Sequence, residues 1–168
     1  MAVPDRSPVH APVTSTDAPS PALAGFEIHR VLVGLDGSED SRRACAVAQA
    51  IAEKFSADLV GAHAVGLLDV WPEDLRPTDR EHAHQRVREA MEGPWSEPLR
   101  RGGVAVELLL RDGPPAETLA ALAAECHADL IIVGTRGIGN SPVGVLGSTS
   151  AKLVLDAHVP VLVVPPAA

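Results

Sequence analysis

Aromatic side chains are nearly missing from this 168-residue chain: they make up 2% of it, with two Trp, two Phe and no Tyr. Any core it builds is therefore aliphatic, drawn from Val, Leu, Ile and Ala. Hydrophobic residues still amount to 46% of the sequence, enough for such a core. Positive charge is scarce as well: Lys and Arg number 14 against 22 Asp and Glu, a formal net charge of −8. That balance argues against the broad basic face needed for general nucleic-acid or anionic-membrane binding. It leaves room for a small anionic ligand, which local amides and one or two cations can hold.

Cysteine is limited to Cys45 and Cys126, with no C-x-x-C pair. Both fall on the apolar face of an expected helix and read as buried free thiols in a reducing compartment. No His, Cys or carboxylate cluster has zinc-site spacing. No apolar run reaches the roughly 18 residues of a membrane-spanning helix. The N-terminus lacks the apolar stretch of a secretory signal, so a cytoplasmic location is expected. Residues 1–26, rich in Pro, Ser, Thr and Ala, read as a disordered tail. Residues 27–166 are expected to form a single domain, and a domain near this size needs no covalent staple.

What is present alternates strands with helices. Short apolar runs predict strands at 30–35 (RVLVGL), 57–64 (ADLVGAHA), 104–110, 129–133 (DLIIV) and 161–164 (VLVV). Between the first two, Asp36-Gly37-Ser38 opens a helix with Glu39 and Asp40 in its first turn. Ala44, Val47, Ala48, Ile51, Ala52 and Phe55 recur there at helical spacing. A charged helix is expected over about 78–91, and Pro94 and Pro98 interrupt any continuation of it. Pro114 and Pro115 start a helix whose buried stripe is Leu119, Leu122, Ala123 and Cys126. A last helix over 148–157 should turn Ala151, Val154 and Leu155 inward. The pattern implies an α/β fold, an open, doubly wound parallel sheet of five strands with helices on both faces.

Ligands of such sheets bind outside the carboxyl ends of strands where the winding reverses. Asp36 follows the first strand and a glycine-rich loop follows the fourth, so an order of 3-2-1-4-5 would set them side by side. The loop runs IIVGTRGIGNSPVGVLGSTS, with glycines spaced G-x2-G-x9-G-S at Gly134, Gly137 and Gly147 before Ser148. Glycine lets backbone come close to a ligand. A helix opening at Gly147 offers unpaired N–H groups of Ser148 and Thr149 to an anion. Together these read as a phosphate cradle. It is not a P-loop, for G-x4-GK[ST] is absent, nor a dinucleotide fingerprint, which fails at its third glycine.

Several side chains near the cradle have two readings. Asp36 could accept from a ribose or help hold a divalent metal; equally it could cap the following helix. Arg136 could pair with phosphate or be a solvated surface cation. Lys152 could lend positive potential but reads better as solvated. His63 reads as a packed strand histidine rather than a catalytic one. His82 and His84 point to different helix faces and make no metal pair.

VLVGLDGS, AHA, DLIIVGTRG, VLGSTS and HVPVLVV, in this order and spacing, resemble the universal stress protein family from about residue 28 to 165. The resemblance implies a doubly wound fold that binds an adenine nucleotide, expected to be ATP and accompanied by Mg. It implies Gly34, Leu35 and Asp36 beside the adenosine, and Ala64 at the adenine through its backbone. Gly134, Gly137, Gly147, Ser148 and Thr149 would hold ribose and phosphates, with Thr135, Arg136 and Gly139 of the same loop counted among the contacts. The family pairs its last strand with that of a second subunit, which implies a homodimer through residues 161–164. The expected role is regulatory, in stress tolerance, with at most slow ATP hydrolysis. Two other readings stay open: a nucleotide-dependent transferase of the related adenine-binding superfamily, and a structural dimer that uses no nucleotide.

Overall fold

The computed structural model describes residues 27–66, 77–138 and 146–166, with the backbone alone for 77–80. The expected tail, residues 1–26, and Gly139 lie outside the described residues.

Five strands form one parallel sheet: β1 (Arg30–Gly34), β2 (Asp58–Val65), β3 (Val106–Asp112), β4 (Leu130–Gly134) and β5 (Val161–Val164). Their order is β3-β2-β1-β4-β5, as the placement of the motifs predicted. β5 lies where the sequence placed it, and the other four strands start or end one or two residues from expectation. Val31, Leu32 and Val33 of β1 are each 0% exposed, which shows that the centre of the sheet is covered on both faces.

The two faces carry separate aliphatic cores. Val31, Val33, Leu59 and Ile132 pack with Ala44, Cys45, Ala48 and Ala52 of α1 (Glu39–Phe55) and with Leu99 of α3 (Glu97–Arg100). On the other face Leu32, Val60, Ile131 and Val133 pack with Leu119, Leu122 and Ala123 of α4 (Pro115–Glu125) and with Leu153 of α5 (Ser148–Asp156). Truncating such a residue, Leu32 or Ile131 for example, costs about 2–5 kcal/mol. Between α1 and α3 lie α2 (Pro77–Ala90) and a wide π-type turn, Met91–Trp95, where Gly93 takes the non-helical angles φ −106°, ψ −113°. Pro94 comes next, so the interruption expected from the prolines is real.

Local chemistry explains the helix ends. Ser38 caps α1 by accepting from Ser41 N at 3.1 Å, Glu39 and Asp40 face the positive end of the dipole, and Ser56 closes it in the left-handed region at φ 56°. Pro115 opens α4, where a missing N–H costs nothing.

One helix face departs from expectation. In α5 the inward residues are Ser150 and Leu153, whereas Val154 and Leu155 are exposed and Ala151 is half-buried. Leu153, Val154 and Leu155 are contiguous, so hydrophobicity alone does not set the rotation. On the inward face the Ser150 hydroxyl donates to the Thr135 carbonyl at 2.9 Å, a polar anchor that accompanies this rotation. Phe55, counted in the α1 stripe, is likewise exposed at the helix end. Cys45 is buried, while Cys126 is only partly so.

Candidate functional site

β1 and β4 are neighbours, with Val31, Leu32 and Val33 opposite Leu130, Ile131 and Ile132. After β1 the chain turns to α1 on one face; after β4 it leads to α5 on the other. The strand ends therefore part at a switch point, and a cavity of about 420 Å³ opens there.

From the first strand, Gly34, Leu35 and Asp36 all line it. Leu35 N donates to Ala62 O at 2.8 Å, which carries the sheet one residue past β1. Asp36 then holds two loops together. Its Oδ1 accepts from Ser38 N at 2.9 Å and its Oδ2 from Ile138 N at 3.2 Å. The helix-capping role open to Asp36 in the sequence belongs instead to Ser38. Ala64, at the end of β2, also lines the cavity, with His63 beside it.

The three cradle glycines are needed for different reasons. A Cβ on Gly134 would stand 2.6 Å from the backbone carbonyl carbon of Asp40, so this glycine lets β4 pass against the first turn of α1. A Cβ on Gly137 would collide with the Asp36 carboxylate at the cavity wall. A Cβ on Gly147 would be 3.1 Å from the Thr135 carbonyl oxygen, tight but less severe.

Gly147 occupies the cap position of α5 and no side chain caps that helix. The first turn closes with Ala151 N donating to Gly147 O at 2.9 Å. The N–H groups of Ser148, Thr149 and Ser150 come before it and have no acceptor within the helix. Ser148 and Thr149 line the cavity, so amides, two hydroxyls and the positive end of the helix dipole converge on it.

Arg136 lines the cavity too, but its guanidinium is already engaged: Nε lies 3.5 Å from Oδ2 of the buried Asp40. Arg136 N donates to the same oxygen at 3.2 Å, and Arg43 donates to Asp40 Oδ1 at 3.0 Å. Thr135 stands outside the lining. Its N–H and hydroxyl both donate to Val164 O, at 3.0 and 2.8 Å, and its own carbonyl accepts from Gly147 N and Ser150 Oγ, each at 2.9 Å. Lys152 is not on the wall; it pairs with Glu117 at the start of α4 and holds that carboxyl below its usual pKa. His84 bonds Asp112 at 2.7 Å while His82 is exposed, so the two do face apart.

Sequence reasoning missed, among other lining residues, Val87, Trp95, Pro115, Leu119 and Ser150. It took His63 as packing alone. The ring does pack, edge-on to Trp95 at 5.1 Å between centroids, but it also faces the cavity. A tryptophan in a chain so short of aromatics, set between two prolines, was the signal available for that wall. Among the described residues no group of three or more His, Cys, Asp or Glu side chains could hold a metal. No helix among them is long and apolar enough to cross a membrane.

Comparison with known proteins agrees with this architecture. Residues 27–165 match the model of the Universal stress protein family. The chain is 39% identical over 135 residues to a Thermus aquaticus protein, "Universal stress protein in QAH/OAS sulfhydrylase 3'region", covering 80% of this chain and 96% of that one. Among solved structures, universal stress protein UspA from Lactobacillus plantarum superposes with a TM-score of 0.69 at 27% identity, covering 82% of this chain and 98% of that one. A universal stress protein solved in complex with cAMP gives a TM-score of 0.60 at 29% identity, covering 83% and 98%. Fold, sequence relatives and family model converge: the chain belongs to the universal stress protein family.

Proposed function

We propose that the switch-point cavity binds an adenine nucleotide, ATP with Mg foremost, and that occupancy regulates a dimer or partner contact in a stress-tolerance role. The observation that carries this reading is the convergence of the uncapped α5 N-terminus and the Gly137 crossing on one cavity. A relative of 29% identity solved with cAMP supports the ligand class. Gly147, Ser148 and Thr149 would hold phosphates, with Arg136 able to contribute charge while Arg43 keeps Asp40 paired. Gly34, Leu35, Asp36 and Ala64 would flank the nucleoside, and Gly134, Thr135 and Gly139 would shape the loop around it. Mg bound with the nucleotide would neutralise phosphate charge, and Asp36 is the carboxylate on the wall that could reach it. Both Asp36 oxygens already accept amide bonds, which makes it a poor base and fits slow hydrolysis at most.

The dimer contact fits the outer edge of β5. Pro160 O and Val164 O accept from Ile131 N and Thr135 N, so in a parallel ladder the backbone of Val161 and Val163 faces outward. Such an edge is a template for another strand.

Calorimetric titration with ATP, AMP and cyclic AMP tests the site. Saturable binding of at least one, with adenine nucleotide carried through gentle purification and seen by mass spectrometry, is expected. Heat-free titrations with all three would remove the proposal.

A further inference from the structure

The phosphate-facing elements use neither His63 nor Trp95, yet both line the same cavity. His63 Nδ1 lies 2.5 Å from the Leu35 carbonyl oxygen. A carbonyl only accepts, so Nδ1 carries the proton of this contact. Burial lowers the imidazole pKa, which keeps the ring neutral at neutral pH. In a neutral ring protonated at Nδ1, Nε2 is a bare acceptor. Nε2 has no hydrogen-bond partner among the described residues, and it is not sealed off, for the one buried orphan side-chain atom among them is Ser96 Oγ.

The ring is also held in place. Trp95 meets it edge-on, 5.1 Å between centroids and 61° between planes. The indole in turn fills the space beside Gly37, where φ is +78° and a Cβ would come 2.6 Å from Trp95 Cε2. The β1–α1 loop and the β2 strand thus fix both rings, and the imidazole cannot exchange its donor edge for its acceptor edge without losing Leu35.

We propose that His63 selects the base: Nε2 accepts a hydrogen bond from the exocyclic amine of a 6-aminopurine lying against the Trp95 wall, and so favours adenine over a 6-oxopurine. The inference rests on the cavity taking a nucleotide. With a 6-oxopurine, carbonyl oxygen and Nε2 would meet as two acceptors in a partly desolvated site. Leaving them unpaired corresponds to about a ten- to hundredfold loss of affinity.

The test is calorimetric titration of the full chain with ATP and with ITP, for the wild type, His63→Gln and His63→Phe, with circular dichroism as the check of folding. The wild type should prefer ATP by about ten- to hundredfold. His63→Gln, whose amide can turn its oxygen to a 6-aminopurine or its NH2 to a 6-oxopurine, should bind ITP more tightly than the wild type and so narrow the preference for ATP. His63→Phe should bring the two affinities to near equality, weakening ATP by the lost acceptor and relieving ITP of the facing one. Equal affinity for ATP and ITP in the wild type, or a ratio unchanged in folded His63→Phe, overturns the base selection and leaves nucleotide binding standing. Should His63→Phe not fold, His63→Gln decides: an ATP-to-ITP affinity ratio unchanged from the wild type overturns the proposal. A wild type that binds neither nucleotide removes the site and the selection together.

Discussion

The carboxylate of Asp36 accepts the backbone N–H of Ile138, 102 positions further along the chain, at 3.2 Å. Ser38 Oγ adds a longer contact to Arg136 O at 3.4 Å. The turn after β1 and the loop after β4 are thereby one unit, tied across the switch point chiefly by the Asp36 side chain. Asp36→Asn leaves one acceptor oxygen for two amides, Ser38 N at 2.9 Å and Ile138 N at 3.2 Å, and the longer bond to Ile138 is the one expected to be lost. Stability should fall by about 0.5–1.5 kcal/mol. Hydrogen exchange at Ile138 should quicken by about tenfold, and ATP binding should weaken. Exchange unchanged at Ile138 would show that the tie does not govern the loop.

Gly134 and Gly137 should respond differently to a side chain. At Gly134 the obstacle is Asp40 backbone at 2.6 Å, which cannot rotate away. Gly134→Ala should therefore lower unfolding stability by about 1–3 kcal/mol. At Gly137 the obstacle is the Asp36 carboxylate, which can turn. Gly137→Val should cost no more than the Asp36 tie it displaces, about 0.5–1.5 kcal/mol, and lose ATP affinity by more than tenfold. Thermal unfolding and calorimetry on the pair would separate the two roles.

His63 should make stability depend on pH. Burial holds its pKa below the ordinary value of about 6.5, so the unfolded chain takes up a proton more readily than the folded one. The contribution is fully present above that ordinary value and is lost as pH falls from there through the depressed folded pKa. Denaturant unfolding between pH 7 and pH 5 should show stability declining with pH, and a folded His63→Phe variant should flatten that part of the curve. An equal decline in both would assign it to other groups.

The two thiols should differ in reactivity. Burial pushes the Cys45 pKa up to about 12, and its Sγ lies 3.8 Å from the Trp95 carbonyl oxygen. Cys126 is also raised by burial but is partly exposed. Iodoacetamide at pH 8 should label Cys126 slowly and Cys45 only after denaturation. Peptide mapping reads the result directly.

Val163→Pro removes an N–H from the open side of β5 while leaving the side bonded to β4. Proline is tolerated at an edge of this kind. If β5 joins two subunits, light scattering should show the variant shifted from dimer to monomer with its circular dichroism unchanged. A wild type that is already monomeric at micromolar concentration would count against the pairing.

The strand order was legible because 3-2-1-4-5 sets Asp36 and the glycine loop at a common switch point, and the loop's glycine spacing marked the cavity directly. What stayed hidden depends on contacts between distant segments. The rotation of α5 goes with the bond from Ser150 to Thr135, which no run of Leu and Val encodes. The anion beside Arg136 in the described residues is Asp40, 96 positions away. Trp95 reaches the cavity because the chain bends at Gly93, whose backbone angles hydrophobic periodicity does not report. The resemblance counted Thr135 among the loop's contacts, and spacing does not report where its hydroxyl goes. That hydroxyl donates to the Val164 carbonyl.

The Thr135 carbonyl, by gripping Gly147 N and Ser150 Oγ together, works as a clasp on the mouth of the intervening stretch. The start of α5 is thereby insulated from how much chain is spliced in between. Lengthening a closed stretch is cheap, about 0.6 kcal/mol for each doubling. A short reporter peptide inserted there would ride on a ring already shut at its base, turning the protein into a scaffold for a sensor.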